Sequence, residues 1–316
     1  MTAREARGAA LGIAAASAAL DLGLVVAAHG RHVMVETPEG RRVLCHPRGK
    51  GRSAELVVGD RVRWLATGEG GVIEHLEPRR NLLFRQDEWR TKSFAANLDQ
   101  ILMLVAPEPV FSESQLTRTL IAARDAEIPA WIGLNKTDLT SAGAARERLA
   151  SYVAMGTRVI ELSLKKDPSA SKATLQPLLD GRTTLVLGAS GMGKSTLINL
   201  LVPQAEAQVG EISRALNSGR HTTTSTRWYW LDDARSGALI DSPGFQEFGL
   251  RQIAPEQLAA LMPDFEASLG HCRFSNCSHR QEPDCGVRAA IEAGSISASR
   301  ARIYQELYEE LERKRW

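Results

Sequence analysis

The sequence predicts a multidomain chain: an all-β barrel, then an α/β unit built on a parallel sheet, then a mostly helical C-terminal part. Three observations predict it. About five short strand patterns crowd into residues 22–80. From about Ala95, continuous apolar runs alternate with helical stretches. From about Ala254 no strand pattern appears, and cysteine and histidine cluster instead. The divisions are read as 1–20, a disordered extension, then 21–92, 93–252 and 253–316.

The first unit rests on Leu24–Val26, His32–Val35, Arg42–Leu44, Arg61–Leu65 and Val72–Leu76. Turn signals separate them: Pro38-Glu39-Gly40, Pro47–Gly51 and Gly68–Gly71. Val62 and Trp64 alternate with Arg61 and Arg63, as a half-buried strand should. Short strands at this density suggest a small barrel of the OB-fold kind, which often binds oligonucleotides; a barrel serving only for docking is the alternative. Residues 28–92 carry 13 Lys/Arg against 9 Asp/Glu, a local net of +4. That suits either a phosphate-backbone surface or a solvated arginine-rich face.

The second unit rests on Gln100–Val105, a continuous apolar run typical of a buried parallel strand. A helix over Gln115–Glu127 follows, with Leu116, Leu120 and Ile121 on one face. Ala130–Leu134, Arg158–Leu162, Thr184–Leu187 and Ala238–Ile240 read as further strands, giving a doubly wound sheet. In the third unit, Pro255–Leu261 reads as helical, and a helix runs from about Ser297 to Lys314. Ile303, Leu307 and Leu311 recur there every four residues, with Tyr304 and Tyr308 on a neighbouring face.

The bulk numbers exclude some classes. Among 316 residues, 43% hydrophobic and 24% charged content is that of a globular chain, not a disordered one. A net charge of +2 does not by itself announce a nucleic-acid binder. No run is long and apolar enough to span a membrane. Gly8–Leu20 loosely mimics a signal peptide, but Glu5 interrupts its basic region and only Leu11 and Ile13 are strongly apolar. It reads as a frayed or weakly helical, dispensable extension of a cytoplasmic protein.

Three of the four cysteines lie in 272–285, beside histidines. This clustering reads as a metal site in a reducing compartment, not a disulfide framework. Cys272-x4-Cys277-x-His279-x5-Cys285 offers three thiolates and an imidazole. Four such ligands suit a closed tetrahedral Zn²⁺ site with no position left for water, hence a structural one. His271 is adjacent, but His279 lies between the outer cysteines and is the better ligand.

Gly188-Ala189-Ser190-Gly191-Met192-Gly193-Lys194-Ser195 fits G-x-x-x-x-G-K-[ST], with an apolar strand before it and a helix opening at Thr196 after it. Glycines let the backbone curl until its N–H groups face phosphate oxygens. The helix adds its positive N-terminal end. Lys194 is expected to bridge β- and γ-phosphates and Ser195 to ligate Mg²⁺.

Asn135-Lys136-Thr137-Asp138 follows the strand AWIGL. N-K-x-D looks like the base-specificity element of GTPases. In that role Asp138 accepts from guanine N1 and the 2-amino group, Asn135 bonds the O6/N7 side, and the Lys136 stem lies over the ring. Adenine would leave Asp138 unpaired. Asp241-Ser242-Pro243-Gly244 follows the strand ALI, as a D-x-x-G element should: Asp241 holds Mg²⁺ through water, and the Gly244 N–H senses the γ-phosphate. Thr222-Thr223-Thr224 stands where the first switch loop belongs, and Thr223 is favoured as the residue closing onto Mg²⁺. N-K-x-D precedes the phosphate loop by about fifty residues, the reverse of the ordinary order. The α/β unit is therefore a circularly permuted P-loop GTPase domain, which surface termini tolerate.

Together these elements resemble the circularly permuted, ribosome small-subunit-dependent GTPases (RsgA, also called YjeQ). The resemblance spans roughly 24–312 and includes GASGMGKSTLIN, SGRHTTT, LIDSPGFQEFGL, CRFSNCSHRQEPDC and ANLDQ, with Gly30, Arg48-Gly49-Lys50 and Val58-Gly59-Asp60 in the barrel. It implies an OB domain, a GTPase domain and a zinc domain. It also implies late maturation of the small ribosomal subunit, contact with its rRNA, and hydrolysis stimulated by the subunit. Phe245 stands where many GTPases carry a water-orienting glutamine, so slow intrinsic hydrolysis is expected; His221 is a candidate for that orienting role. Ser163-Leu164 stands where the family usually shows Ser-Ala beneath the base, with the Ser163 backbone toward O6. The chain is expected to act as a monomer on GTP and GDP, away from membranes. A nucleotide-gated RNA-binding module, or a translation or signalling GTPase outside assembly, are the alternatives.

Overall fold

The computed structural model describes residues 20–29, 32–48, 55–68, 70–87, 91–205, 226–242 and 248–313. Five strands near the N-terminus close on themselves: β1 (Asp21–His29), β2 (His32–Glu36), β3 (Arg42–Pro47), β4 (Arg61–Thr67) and β5 (Gly70–Leu76). β1 makes the closure. Its first part pairs with β4, from Asp21↔Trp64 to Leu24↔Arg61, and from Leu24 to His29 it pairs with β2, with a bulge between Val25 and Ala27. β2 then pairs with β3, β3 with β5 in parallel, and β5 with β4. This is the small barrel expected.

The barrel is filled, not hollow. Val25, Val33, Val35, Cys45, Val62, Trp64 and Ile73 form its core, with Trp64 fully buried. Room for the indole comes from Gly71, where a Cβ would lie 2.5 Å from the Trp64 ring and 2.6 Å from Cys45 Sγ. The Asp60 carboxylate, fully buried at the foot of β4, accepts from Val57 N at 2.8 Å and from Arg79 Nε at 2.7 Å.

A hairpin not anticipated from sequence follows: β6 (Leu82–Gln86) and β7 (Thr91–Ala96). It straddles residues 92 and 93, where the sequence reading divides barrel from α/β unit. The central sheet runs in the order β10 (Val159–Glu161), β9 (Ala130–Leu134), β8 (Gln100–Val105), β11 (Thr183–Leu187), β13 (Ala238–Asp241) and β12 (Arg227–Trp230). All are parallel except the edge strand β12, which was also not anticipated. β12 touches the barrel through the pair Ala27↔Arg227. Every residue of β8 is buried, as its unbroken apolar run requires.

Four helices pack on this sheet: α1 (Glu113–Asp125), α2 (Ala142–Ala154), α3 (Pro168–Leu179) and α4 (Lys194–Leu201). From Pro255 onward the described chain has only helical segments and turns. The expected helix over Pro255–Leu261 is instead two 3-10 turns, Pro255–Gln257 and Ala259–Leu261. Met262 is extended (φ −104°, ψ 106°) because Pro263 follows it, and it cuts the helix before a full turn can propagate. A third 3-10 segment, Pro263–His271, leads to α5 (Gly286–Glu292) and α6 (Ala298–Glu312). On α6, Ile303, Tyr304, Leu307, Tyr308 and Leu311 are all buried, so the expected stripe is the packed face.

Candidate functional site

The phosphate loop links β11 to α4, and its glycines are required by position. Gly191 and Gly193 have φ of +81° and +107°. A Cβ on Gly188 would lie 2.4 Å from the Leu104 carbonyl of the neighbouring strand, and one on Gly193 would lie 2.3 Å from Asn135 Nδ2. The loop is thus pressed between β8 and the Asn135 side chain. Lys194 Nζ arches over it, donating to Gly188 O at 2.5 Å.

Asn135 joins three loops. It is 3% exposed. Its Nδ2 donates to Met192 O at 2.9 Å, and its Oδ1 accepts from Leu164 N at 3.1 Å. The expected contact with the O6/N7 side of guanine is therefore at most what the second amide hydrogen offers; the carbonyl is committed to the protein. Thr137 acts as a brace, its hydroxyl donating to Leu162 O at 3.1 Å and lying 3.0 Å from Ser163 Oγ. The Ser163 backbone N–H, expected beneath the base, instead donates to Ser171 Oγ at 3.1 Å.

A cavity of about 570 Å³ gathers the two motifs. Asn135, Lys136, Asp138, Ala189, Ser190, Gly191, Gly193, Lys194, Ser195 and Thr196 line it. Leu164 and Lys165, not Ser163, form the wall beside Asn135. Glu108 was missed. It lies in the turn after β8, and its carbonyl accepts from Lys136 Nζ at 2.5 Å. No sequence motif marks it, since a backbone carbonyl and a loop position make the contact.

Lys194 and Asp241 act on each other electrostatically. Burial pulls the Lys194 ammonium down from its usual value while Asp241 pushes it back up. Burial raises the Asp241 carboxyl, opposed by Lys194 and then Arg227. Asp241 ends β13 beside β11, in register with Val186, so its carboxylate belongs to the edge of the phosphate loop. A hydroxyl (Ser195) and a half-buried carboxylate are hard oxygen donors that fit Mg²⁺. His221, Thr223, Gly244 and Phe245 lie outside the described residues, as does most of the 1–20 extension.

The cysteine cluster comes together. The ligand atoms of Cys272, Cys277, His279 and Cys285 all lie within 4.8 Å of one another. Cys272 Sγ is 3.4 Å from His279 Nδ1 and 3.9 Å from Cys285 Sγ, and Cys285 Sγ is 3.5 Å from His279 Nδ1. Ligands at ordinary Zn–S and Zn–N distances on a tetrahedron stand roughly 3.5–3.8 Å apart, so the set fits one such ion. His279 adopts φ +60° to turn its ring inward. The Glu282 carboxylate ties that loop by accepting from Ser278 N at 2.6 Å and Arg280 N at 3.2 Å. Burial alone would raise its pKa, but Ser278 and the loop amides hold it down at about 2.

Comparison with known proteins agrees with this geometry. A family model described as RsgA GTPase matches residues 76–251. A protein of Variovorax paradoxus (strain S110), named small ribosomal subunit biogenesis GTPase RsgA, is 57% identical over 319 residues, covering 99% of this chain and 100% of its own. A protein of the same name from Burkholderia pseudomallei (strain K96243) is 52% identical, covering 91% of each chain. The crystal structure of YjeQ from Thermotoga maritima superposes with a TM-score of 0.73 at 30% identity, covering 94% of this chain and 100% of that one. YloQ, described as a circularly permuted GTPase, gives a TM-score of 0.67 at 24% identity, covering 92% and 95%, and bears on the fold alone.

Proposed function

Because the chain belongs to the RsgA GTPase family, we propose that it hydrolyses GTP to GDP and phosphate during late maturation of the small ribosomal subunit. It binds that subunit through rRNA and is stimulated by it. The observation that carries this reading is the one cavity lined by Asp138, Lys136 and Asn135 at one loop and by Gly191, Gly193, Lys194, Ser195 and Thr196 at the other.

The roles follow from chemistry. Asp138 pairs the guanine edge, and the Lys136 stem covers the ring. The loop amides and Lys194 take the phosphates. Ser195, Asp241 and Thr223 hold Mg²⁺, which neutralises phosphate charge when bound. The Gly244 N–H senses the γ-phosphate. Phe245 cannot orient water by hydrogen bonding, so intrinsic turnover is slow; His221 serves that purpose when the subunit is bound. Cys272, Cys277, His279 and Cys285 hold one structural Zn²⁺. The protein works as a monomer in the cytoplasm, and grips rRNA with barrel residues of 31–63 and with the zinc unit.

The test is GTP turnover with and without purified small subunits, with ATP as control. Strong stimulation by the small subunit and none of ATP turnover is expected. Slow GTP turnover unchanged by subunits would overturn the assignment of the activator.

A further inference from the structure

Glu108 stands in a telling place. Its carbonyl accepts from Lys136 Nζ at 2.5 Å, which ties it to the loop beneath the base. Its neighbour Pro109 abuts the phosphate loop so closely that a Cβ on Gly191 would lie 3.1 Å from Pro109 Cδ. The turn 108–109 therefore bridges the base-reading loop and the phosphate loop, and all three line one cavity. In any nucleotide the sugar lies between base and phosphates. A residue that spans those two loops faces the sugar.

The side chain suits that place. Ser141 Oγ donates to Glu108 Oε1 at 2.5 Å, holding one end of an exposed carboxylate. Among the described residues Oε2 has no protein donor. A carboxylate only accepts hydrogen bonds, and ribose hydroxyls are the only neutral donors a nucleotide offers between base and phosphate.

We propose that Glu108 is a specificity-determining residue that accepts a hydrogen bond from a ribose hydroxyl and selects ribo- over deoxyguanosine nucleotides. Ser141 is its positioning residue. The inference rests on the guanine-nucleotide reading above and names the sugar that the same cavity takes.

The test is titration calorimetry of the full-length protein with GDP, 2′-deoxy-GDP and 3′-deoxy-GDP. The wild type should bind GDP roughly tenfold more tightly than one of the deoxy forms, the size of one hydrogen bond to a charged group. Glu108→Ala should lower GDP affinity to that deoxy level and leave the deoxy form unchanged, because the carbonyl that holds Lys136 remains. Ser141→Ala should narrow the discrimination by a smaller factor in the same direction. Equal binding of GDP and both deoxy forms by the wild type would overturn the proposal and leave the guanine reading standing. A Glu108→Ala loss shared equally by all three nucleotides would also overturn it. Failure of the wild type to bind any guanine nucleotide would overturn both readings.

Discussion

Asn135 Nδ2 lies 2.9 Å from the carbonyl of Met192, 57 positions later in the chain. The order of motifs is reversed relative to ordinary GTPases, yet the two loops meet through a buried hydrogen bond. What the site requires is adjacency of β8, β9 and β11 in the sheet, and that does not depend on where the chain begins.

Asn135→Ala should therefore do more than weaken base recognition. It leaves the buried Met192 carbonyl and Leu164 N–H without partners, at about 1–3 kcal/mol each. GDP affinity should fall by at least tenfold and the melting temperature should fall with it. A variant that lost affinity with an unchanged melting temperature would show that Asn135 reads the base alone.

Lys194→Ala should abolish turnover, whereas Asp241→Asn separates function from stability. The folded-state pKa of Asp241 is raised, chiefly by burial, so ionising it at neutral pH costs folding free energy. Stability tied to the protonated carboxyl is present at low pH and lost as pH rises through the raised pKa. The asparagine variant should lose Mg²⁺-dependent turnover yet melt a few degrees higher than wild type at pH 7 without nucleotide, at about 2–4 °C per kcal/mol. The gain should shrink as pH falls and vanish below the ordinary value of 3.8. Thermal melts across that range decide it; a gain independent of pH would point to packing instead.

Much of this was legible in the sequence because the chemistry is local. The phosphate loop, the Asn135–Asp138 loop, the cysteine spacing and the run QILMLV each carry their signal within a few residues. What was missed is relational. β12 is four residues, RWYW, with no alternation to betray it, and it exists because β13 and β1 give it edges. The hairpin β6–β7 holds its place through Phe94, which stacks on Phe248 with centroids 5.5 Å apart. The family pattern points to the Ser163 backbone, but Ser171 on α3 takes its N–H and leaves Leu164 and Lys165 as the wall.

The cysteine cluster makes a metal-dependent prediction. The segment 263–285 is 3-10 and turn, with little regular structure to hold it apart from the four ligands. Cys277→Ala should lose one zinc per chain by elemental analysis and lower the stability of the C-terminal unit. GDP binding should survive within about threefold, since no ligand lines the nucleotide cavity. Retained stoichiometric zinc would refute the ligand set.

Arg300 yields the strongest stability prediction. It is 1% exposed on α6, and its guanidinium donates two bonds of 2.8 Å to Asp264 and one of 2.7 Å to Thr117 Oγ1 on α1. Thr117 is in turn 2.9 Å from Tyr152 OH, so one buried network joins the C-terminal unit to α1 and α2. α1 also holds Phe248, through Gln115 Oε1 at 3.2 Å and Arg118 Nη1 at 3.3 Å, and Arg118 pairs with Glu310 on α6. Removing only the cation strands Asp264 in a dry setting. Arg300→Met should thus cost about 3–5 kcal/mol, whereas Arg300→Met with Asp264→Leu should recover most of the loss, because both charges leave together. Arg300→Lys keeps the charge but not the fork and should fall between. Denaturant unfolding of the three variants measures this directly. Should Arg300→Met unfold within about 1 kcal/mol of wild type, the network contributes no more than an exposed ion pair, and the C-terminal unit is held by its apolar face alone.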